Sequence, residues 1–457
     1  MRQRDSATQQ LLADAAARAA RYLTGLPDRA VAPTPAALAR LVELDAPIPE
    51  GPQDPAAVLA KLDEVVSPAT MAMAGPRFFG FVIGGSLPVT VASNWLATAW
   101  DQNTGLYAAT TATAHIEAAA LARLLHVLDL PRDAAGAFVT GGTVANLTAL
   151  AAARHRVLAN AGWAVEADGL FGAPPITVIV GGEAHPTLTK SLGVLGLGRK
   201  RITRVPVDGQ GRMRADAMPP IAGPTIVCVQ AGNVNTGAFD PIAEITRRAH
   251  EAGAWVHVDG AFGLWARATP MRAHLVAGVE AADSWATDAH KWLNVPYDSG
   301  LAFVRDGAAL RAAMAITAEY LPPATGSQRS PSDYTPELSR RARGVDIWAA
   351  LETLGRSGVA EMIERCCGHA ARFAAGLADA GFEVLNEVVL NQVLVSFGSP
   401  ERTLAVIAAL QQEGSCWAGN TAWQGRTAMR ISVSSWATTE EDVEISLAAI
   451  RRVAAGI

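Results

Sequence analysis

The chain has few of the features that mark secreted, membrane or nucleic-acid-binding proteins. Only four cysteines occur in 457 residues, Cys228, Cys366, Cys367 and Cys416, and the adjacent pair lies on a helix-like stretch where a structural disulfide is geometrically poor. They read as packing residues in a reducing cytoplasm. No window reaches about eighteen uncharged apolar residues with membrane flanks. The opening stretch MRQRDSATQQLLADAAARAARYL sets Asp14, Arg18 and Arg21 among alanines, so it lacks the apolar run of a secretory signal. Net charge is -5 and the pI about 6.0. Basic residues cluster no further than Arg199-Lys200-Arg201, which gives no electrostatic footprint for nucleic acid. A soluble, cytoplasmic protein acting on a small molecule is expected, with no metal site, no membrane and no nucleic acid as partner.

What is present is apolar content and length. At 50 % hydrophobic residues the chain can bury a large core and is too long for one simple domain. Residues 1–75 read as helices broken by prolines: an amphipathic opening helix, a proline-rich connector from Pro33 to Pro55, then AAVLAKLDEVV. That segment has no core of its own and is expected to wrap a neighbour, which in a dimer is the second subunit. From 76 to 315 short β-rich runs alternate with helical periods: ITVIVGG, TIVCVQAG, AWVHVDG and GLAFVRD, with segments such as DPIAEITRRAHEAG between them. This is the pattern of a mainly parallel sheet covered by helices on both faces. Residues 316–457 open on a polar, proline-rich stretch, LPPATGSQRSPSDYTPELS. A long helix near 343–378 then leads into FEVLNEV, QVLVSF and MRISVS, which predicts a small α+β domain.

Ligands of open α/β sheets gather at the carboxyl ends of the strands, and three motifs fall at such places. TGGTVANLTAL sets two glycines and a threonine before a helix, so backbone N–H groups and the Thr143 hydroxyl can meet a phosphate there. Asp259 ends the apolar strand AWVHVD and precedes the small Gly260 and Ala261, so a flat ring can approach while the carboxylate points at it. A buried carboxylate needs a cationic partner, which a protonated pyridinium supplies. His290-Lys291-Trp292 lies between a short strand and GLAFVRD, where a partly desolvated lysine has the lowered pKa that imine formation requires. Each motif alone has an ordinary reading: a plain turn, a helix cap, a surface lysine. The three together, in this order on this fold, point to a phosphorylated pyridine aldehyde.

TGGTVANLTAL, HVDGAFG and DAHKWLNVPYDSG resemble the corresponding motifs of the pyridoxal-phosphate-dependent amino-acid decarboxylases, the group II family that includes aromatic amino-acid and glutamate decarboxylases. The likeness spans nearly the whole chain, from PRFFGFVIGG to MRISVSSWATTEEDV. It implies the PLP-dependent transferase fold type I: a large domain with a mainly parallel seven-stranded sheet flanked by helices, an N-terminal helical segment and a small α+β C-terminal domain. By the same resemblance Lys291 is the Schiff-base lysine and Asp259 the partner of the pyridine nitrogen. Ala261 packs under the ring, and His185 in GGEAHPTLTKS stacks on it and hydrogen-bonds the substrate carboxylate. Gly142, Thr143 and His290 hold the phosphate, and Asn233 and Asn235 line the cofactor face. Asp288 stands where some relatives carry an asparagine that touches phosphate, which puts that contact in doubt. Tyr334 in SPSDYTPELSRR is the candidate proton donor, although its spacing to the following arginines differs from the family's.

Decarboxylation of an L-amino acid to its amine and CO2 is the reading these motifs favour. Phe79, Phe81, Trp100 and Asn103 are candidates for the substrate mouth, and their aromatic character favours an aromatic side chain. Arg343 and Arg430 are candidate carboxylate partners, and a small-domain arginine is also what aminotransferases of this fold use. A transaminase, another lyase, an aldehyde-forming enzyme or a silent scaffold protein therefore stay open at this point. A homodimer is expected from the resemblance.

Overall fold

The runs TIVCVQ and WVHVD carry no alternation of polar and apolar residues, and strands of this kind need cover on both faces. In the computed structural model, which describes residues 2–316 and 328–457, they form the centre of a seven-stranded sheet. Its strands are β1 (Ala135–Val139), β2 (Thr177–Gly181), β3 (Thr203–Val205), β4 (Thr225–Gln230), β5 (Trp255–Asp259), β6 (Ser284–Asp288) and β7 (Gly300–Val304), in the order β1-β7-β6-β5-β4-β2-β3. Strands β3, β2, β4, β5 and β6 run parallel. β7 is antiparallel to both β6 and β1. Every residue of β4 through β7 is buried.

The helix Gly142–Asn160 supplies much of the cover. Ala145, Ala149, Ala151, Ala152 and Ala153 join Val178, Val180, Ile226, Ala286 and Ala302 in one buried cluster. Alanines let the helix backbone approach the sheet closely, which fixes where the helix begins relative to the strand ends.

The chain folds into two compact units, one of residues 84–371 and 385–393, the other of residues 1–83, 372–384 and 394–457. The breaks thus fall at other places than 75 and 315: residues 328–343 belong with the large sheet, and the N-terminal helices share a unit with the C-terminal strands. Residues 321–327 of the proline-rich stretch lie outside the described residues.

In the second unit residues 77–79 pair with the C-terminal part of the same unit. Phe78 stacks on Trp417 at 5.0 Å, Arg77 Nη1 donates to Asp442 Oδ1 at 2.8 Å, and the Phe79 N–H donates to the Trp417 carbonyl at 2.8 Å. A four-stranded sheet in the order β10-β11-β9-β8 comprises β8 (Glu383–Val384), β9 (Gln392–Ser396), β10 (Gly419–Trp423) and β11 (Arg426–Ser432). The expected long helix spans Gly344–Asp379, interrupted at Gly355, whose φ of 59° is left-handed. All four cysteines are buried, and burial pushes each thiol up, as packing residues require. Among the described residues no helix is long and apolar enough to cross a membrane.

Candidate active site

The site is built where β1, β5 and β6 end. After β1 the backbone passes through Gly141 and Gly142 into the Gly142–Asn160 helix, whose N-cap has no side chain to satisfy the first N–H groups. Glycine is required there by contact: a Cβ on Gly142 would stand 2.9 Å from Asp288 Oδ2, and one on Gly141 3.2 Å from His290 Cε1. On the other side a Cβ on Gly300 would meet the Gly141 backbone at 2.4 Å. The turn is therefore a cradle closed by His290, Asp288 and β7, with the positive end of a 19-residue helix facing it.

His290 is tuned as a neutral donor. The Ser299 N–H donates to its Nδ1 at 3.1 Å, which leaves the ring proton on Nε2, and burial holds the imidazole below its ordinary pKa. Tyr297 stacks on the ring at 4.3 Å, and burial pushes the Tyr297 phenol up to about 12. The sequence reading named neither Tyr297 nor Ser299, because the contact is made across a loop.

Asp259 is 5 % exposed at the end of β5. Burial raises its carboxyl, His185 and Lys291 draw it back down, and Asp288 adds to the rise. A carboxylate in that position favours a cationic ring nitrogen. Lys291 sits on the short helix Ala289–Trp292, and its Nζ lies 2.9 Å from Asp288 Oδ2. The flanking Trp292 and Leu293 are fully buried, so the sequence suggested apolar surroundings for the lysine; the structure supplies a carboxylate. His185 is the N-cap of the helix Pro186–Val194. Its Nδ1 accepts from the Thr187 N–H at 3.3 Å and bonds Thr187 Oγ1 at 2.6 Å, which places the imidazole proton on Nε2. The carbonyl of Ala261 accepts the Asp288 N–H at 2.9 Å, tying the Asp259 loop to the end of β6.

One residue inside a quoted motif carries more than the sequence reading assigned to it. His257, two positions before Asp259 on β5, bonds Asn146 Oδ1 through Nε2 at 2.8 Å and Ser284 Oγ through Nδ1 at 2.9 Å. Trp255 Nε1 donates to the same Ser284 oxygen at 2.9 Å. Burial pushes the His257 imidazole down to about 3, so it is neutral. It pins the phosphate-turn helix to β5 and β6. The available signal was the pairing of a histidine in one motif with an asparagine in another, which sequence alone does not join.

Other expected residues are placed differently. Asn233 turns its own loop: Oδ1 accepts the N–H groups of Asn235 and Thr236 at 2.8 and 3.3 Å, and Nδ2 donates to Glu183 at 3.0 Å. Asn103 clips the segment before the long helix, Oδ1 accepting from the Arg340 N–H at 2.9 Å and Nδ2 donating to Ser339 Oγ at 3.3 Å. Trp100 ends the helix Pro88–Trp100 with its ring exposed. Tyr334 closes the turn Pro331–Tyr334, packs on the cluster that covers the sheet, and lies under Arg329 at 4.1 Å. Arg343 Nε donates to Asp298 Oδ1 at 2.8 Å. Phe81 and Arg430 belong to the second unit. There Phe81 is exposed beside Trp417 with a left-handed φ of 56°, and Arg430 is on β11, its guanidinium pKa lowered by burial.

The residues present fit pyridoxal phosphate. A glycine cradle at a helix N-terminus with an Nε2–H donor suits a phosphate. The buried carboxylate at the end of β5 suits a ring nitrogen, and the amine on the next strand end suits the aldehyde.

Comparison with known proteins agrees. The pyridoxal-dependent decarboxylase conserved domain matches residues 35–398. An aromatic-L-amino-acid decarboxylase of Bacillus atrophaeus is 26 % identical over 422 residues, covering 88 % of this chain and 86 % of that one. A tyrosine decarboxylase of Oryza sativa subsp. japonica is 30 % identical over 410 residues, covering 84 % and 75 %. An L-2,4-diaminobutyrate decarboxylase of Rhizobium meliloti (strain 1021) is 28 % identical over 432 residues, covering 89 % and 84 %. The crystal structure of Oryza sativa TDC with PLP and tryptamine superposes with a TM-score of 0.91 at 23 % identity over 98 % of both chains, a likeness of fold. With the domain match spanning most of the chain, the transaminase and scaffold alternatives fall away: the protein belongs to the pyridoxal-dependent decarboxylase family and is a PLP-dependent amino-acid decarboxylase.

Proposed function

We propose that the protein removes CO2 from an L-amino acid with an aromatic side chain, as a cytoplasmic homodimer. The observation that carries the reading is the convergence of Lys291, Asp259 and the Gly141–Gly142 cradle at neighbouring strand ends. The aromatic preference is supported by the exposed ring of Trp100 and by aromatic-substrate relatives. The dimer is supported by Trp95, Leu96 and Trp100, three large apolar side chains left exposed on one helix.

Bound pyridoxal phosphate supplies an electron sink for the bond broken at Cα. The protein supplies the rest. Gly142, Thr143 and the His290 Nε2–H would hold the phosphate, and Asn235 and Ala261 would contact the ring. Asp259 would keep the ring nitrogen protonated. Lys291 would be the amine that links to the cofactor. His185, with its proton fixed on Nε2, would donate to the substrate carboxylate and so orient the bond to be broken. Arg343 is the candidate group for substrate charge within this unit. Tyr334, its ring held under Arg329, is assigned the proton that Cα takes after CO2 leaves.

The test is mass spectrometry of products after the PLP-loaded protein meets a panel of L-amino acids. Amines from L-tryptophan, L-tyrosine or L-phenylalanine are expected. Amines only from acidic or basic members would overturn the aromatic assignment, and no amine from any would overturn the reading as a whole. Tyr334→Phe should retain CO2 release and divert product from amine to aldehyde, with one water taken up and the amino group left on the cofactor; unchanged amine yield removes Tyr334 from the proton step.

A further inference from the structure

Asp288 is the acidic group closest to the chemistry that the decarboxylase reading leaves without a task. It is 2 % exposed. Its Oδ2 lies 2.9 Å from Lys291 Nζ, and its Oδ1, 3.6 Å from His290 Nε2, has no hydrogen-bond partner among the described residues. A carboxylate this deeply buried is costly unless a cation offsets it. His290 Nδ1 accepts from the Ser299 N–H, so the basic group that pairs with the Asp288 carboxylate is Lys291.

The dock needs no moving part. Asp288 ends β6, and Lys291 follows three residues later on the one-turn helix Ala289–Trp292, so both ends of the pair ride on the same short stretch. The Asp288 backbone is held by the Ala261 carbonyl, and its carboxylate is confined by the Gly142 backbone, where even a Cβ would stand at 2.9 Å.

When a substrate amine took its place on the cofactor, Lys291 would be released as an amine, and the proton given up by the incoming substrate ammonium would make it an ammonium. That ammonium would be an acid beside the cofactor carbon it had left. With the cofactor bound, one proton would complete the step after CO2 departs, taken either at the substrate Cα or at that carbon. A proton on Cα, followed by return of Lys291, releases the amine and restores the cofactor. A proton on the cofactor carbon, followed by addition of one water, releases an aldehyde and leaves the amino group on the cofactor.

We propose that Asp288 is a positioning residue that docks the Lys291 ammonium while substrate occupies the cofactor, keeping its proton from the cofactor carbon and so directing the product to amine. This rests on the decarboxylase reading above.

Two measurements test it on the full chain. The sequence has only four lysines, Lys61, Lys190, Lys200 and Lys291, so acetylation by acetic anhydride can be followed residue by residue by mass spectrometry, with the other three as internal references. In protein freed of cofactor, Asp288→Asn should raise the Lys291 rate relative to Lys200 by at least about tenfold, the equivalent of about 1.4 kcal/mol. In the PLP-loaded protein turning over L-tryptophan, or whichever panel member gives most amine, the same variant should raise the ratio of aldehyde plus aminated cofactor to amine by at least about tenfold. Added formate should restore the parent ratio in Asp288→Ala, which a fold defect would not allow. Unchanged labelling overturns the dock, and faster labelling with an unchanged product ratio overturns its role in directing the proton. A parent protein that yields no amine from any substrate overturns the decarboxylase reading itself, whereas a parent that decarboxylates while both Asp288 variants match it overturns only this proposal.

Discussion

Replacing Glu117 by glutamine tests how the segment that carries Tyr334 and Arg343 is held. The side chains of Glu117 and Arg340 are both 0 % exposed, with Arg340 Nη1 donating to Glu117 Oε2 at 2.7 Å. Arg329 Nη1 lies 3.6 Å from the other carboxylate oxygen. One carboxylate thus serves two guanidinium groups. Arg340 also donates to the carbonyls of Thr104 and Phe138, and Arg329 to that of Gly136, so the cluster fastens this segment to β1 and to the helix Thr111–Val127. At an effective dielectric near ~20 the two attractions come to about 6 and about 5 kcal/mol before desolvation. Removal of one partner from a buried pair costs about 3–5 kcal/mol. Glutamine keeps the volume and leaves two charges without their anion. Amide hydrogen exchange in residues 328–343 should then quicken by about a hundredfold to several thousandfold, while the amides of β4 and β5 keep their protection and the PLP absorbance persists. An acceleration under about fivefold would refute the reasoning, and so would an equal loss of protection throughout the sheet.

Burial pushes His257 down to about 3 against about 6.5 unfolded. Below about 6.5 the unfolded chain binds the extra proton, so this contribution is full above that pH and is lost as pH falls towards 3. One unit below the unfolded value the loss is about 1.4 kcal/mol. Urea midpoints measured from about pH 7 to pH 5 should fall less in His257→Gln than in the parent. The comparison with the parent is needed because Asp240, pushed up to about 6 by burial, works in the opposite sense. Gly142→Ala sets a Cβ 2.9 Å from Asp288 Oδ2 and should weaken PLP binding by about tenfold or more in an absorbance titration; unchanged affinity would remove the turn from the phosphate site. Trp100→Ala should raise KM for aromatic amino acids by at least about tenfold with kcat little changed, and an unaltered KM would place the substrate mouth elsewhere.

The central strands were legible because a fully buried parallel strand writes its burial into its composition. TIVCVQ and WVHVD became β4 and β5 as read. β1, AGAFV, and β3, three residues of TRV, were not singled out as strands. β1 is rich in small residues because it must admit Leu121, whose Cδ1 stands 2.3 Å from the place of a Cβ on Gly136. β3 is too short for any period to show. The division into units was illegible for a different reason: residues 71–83 and 415–417 join by contacts such as Phe78 on Trp417, a pairing across more than three hundred positions that no local pattern encodes.

The site divides along the same line. Lys291, Asp259 and the glycine turn were readable because each ends a strand or opens a helix, and strand ends are where a parallel sheet must place its ligand. What makes these residues work lies in pairings between motifs. Asn146 in the first motif meets His257 in the second, His257 meets Ser284 at the head of the third, and Gly142 makes room for the carboxylate of Asp288. Each link joins residues that look ordinary in their own segment. Asp288 makes the point most sharply: beside a phosphate turn an acid looks misplaced, and only the 2.9 Å contact to Lys291 gives its charge a partner. The identity of the cofactor could therefore be read from local motifs, whereas control over the proton depends on contacts that exist only once the sheet has brought those motifs together.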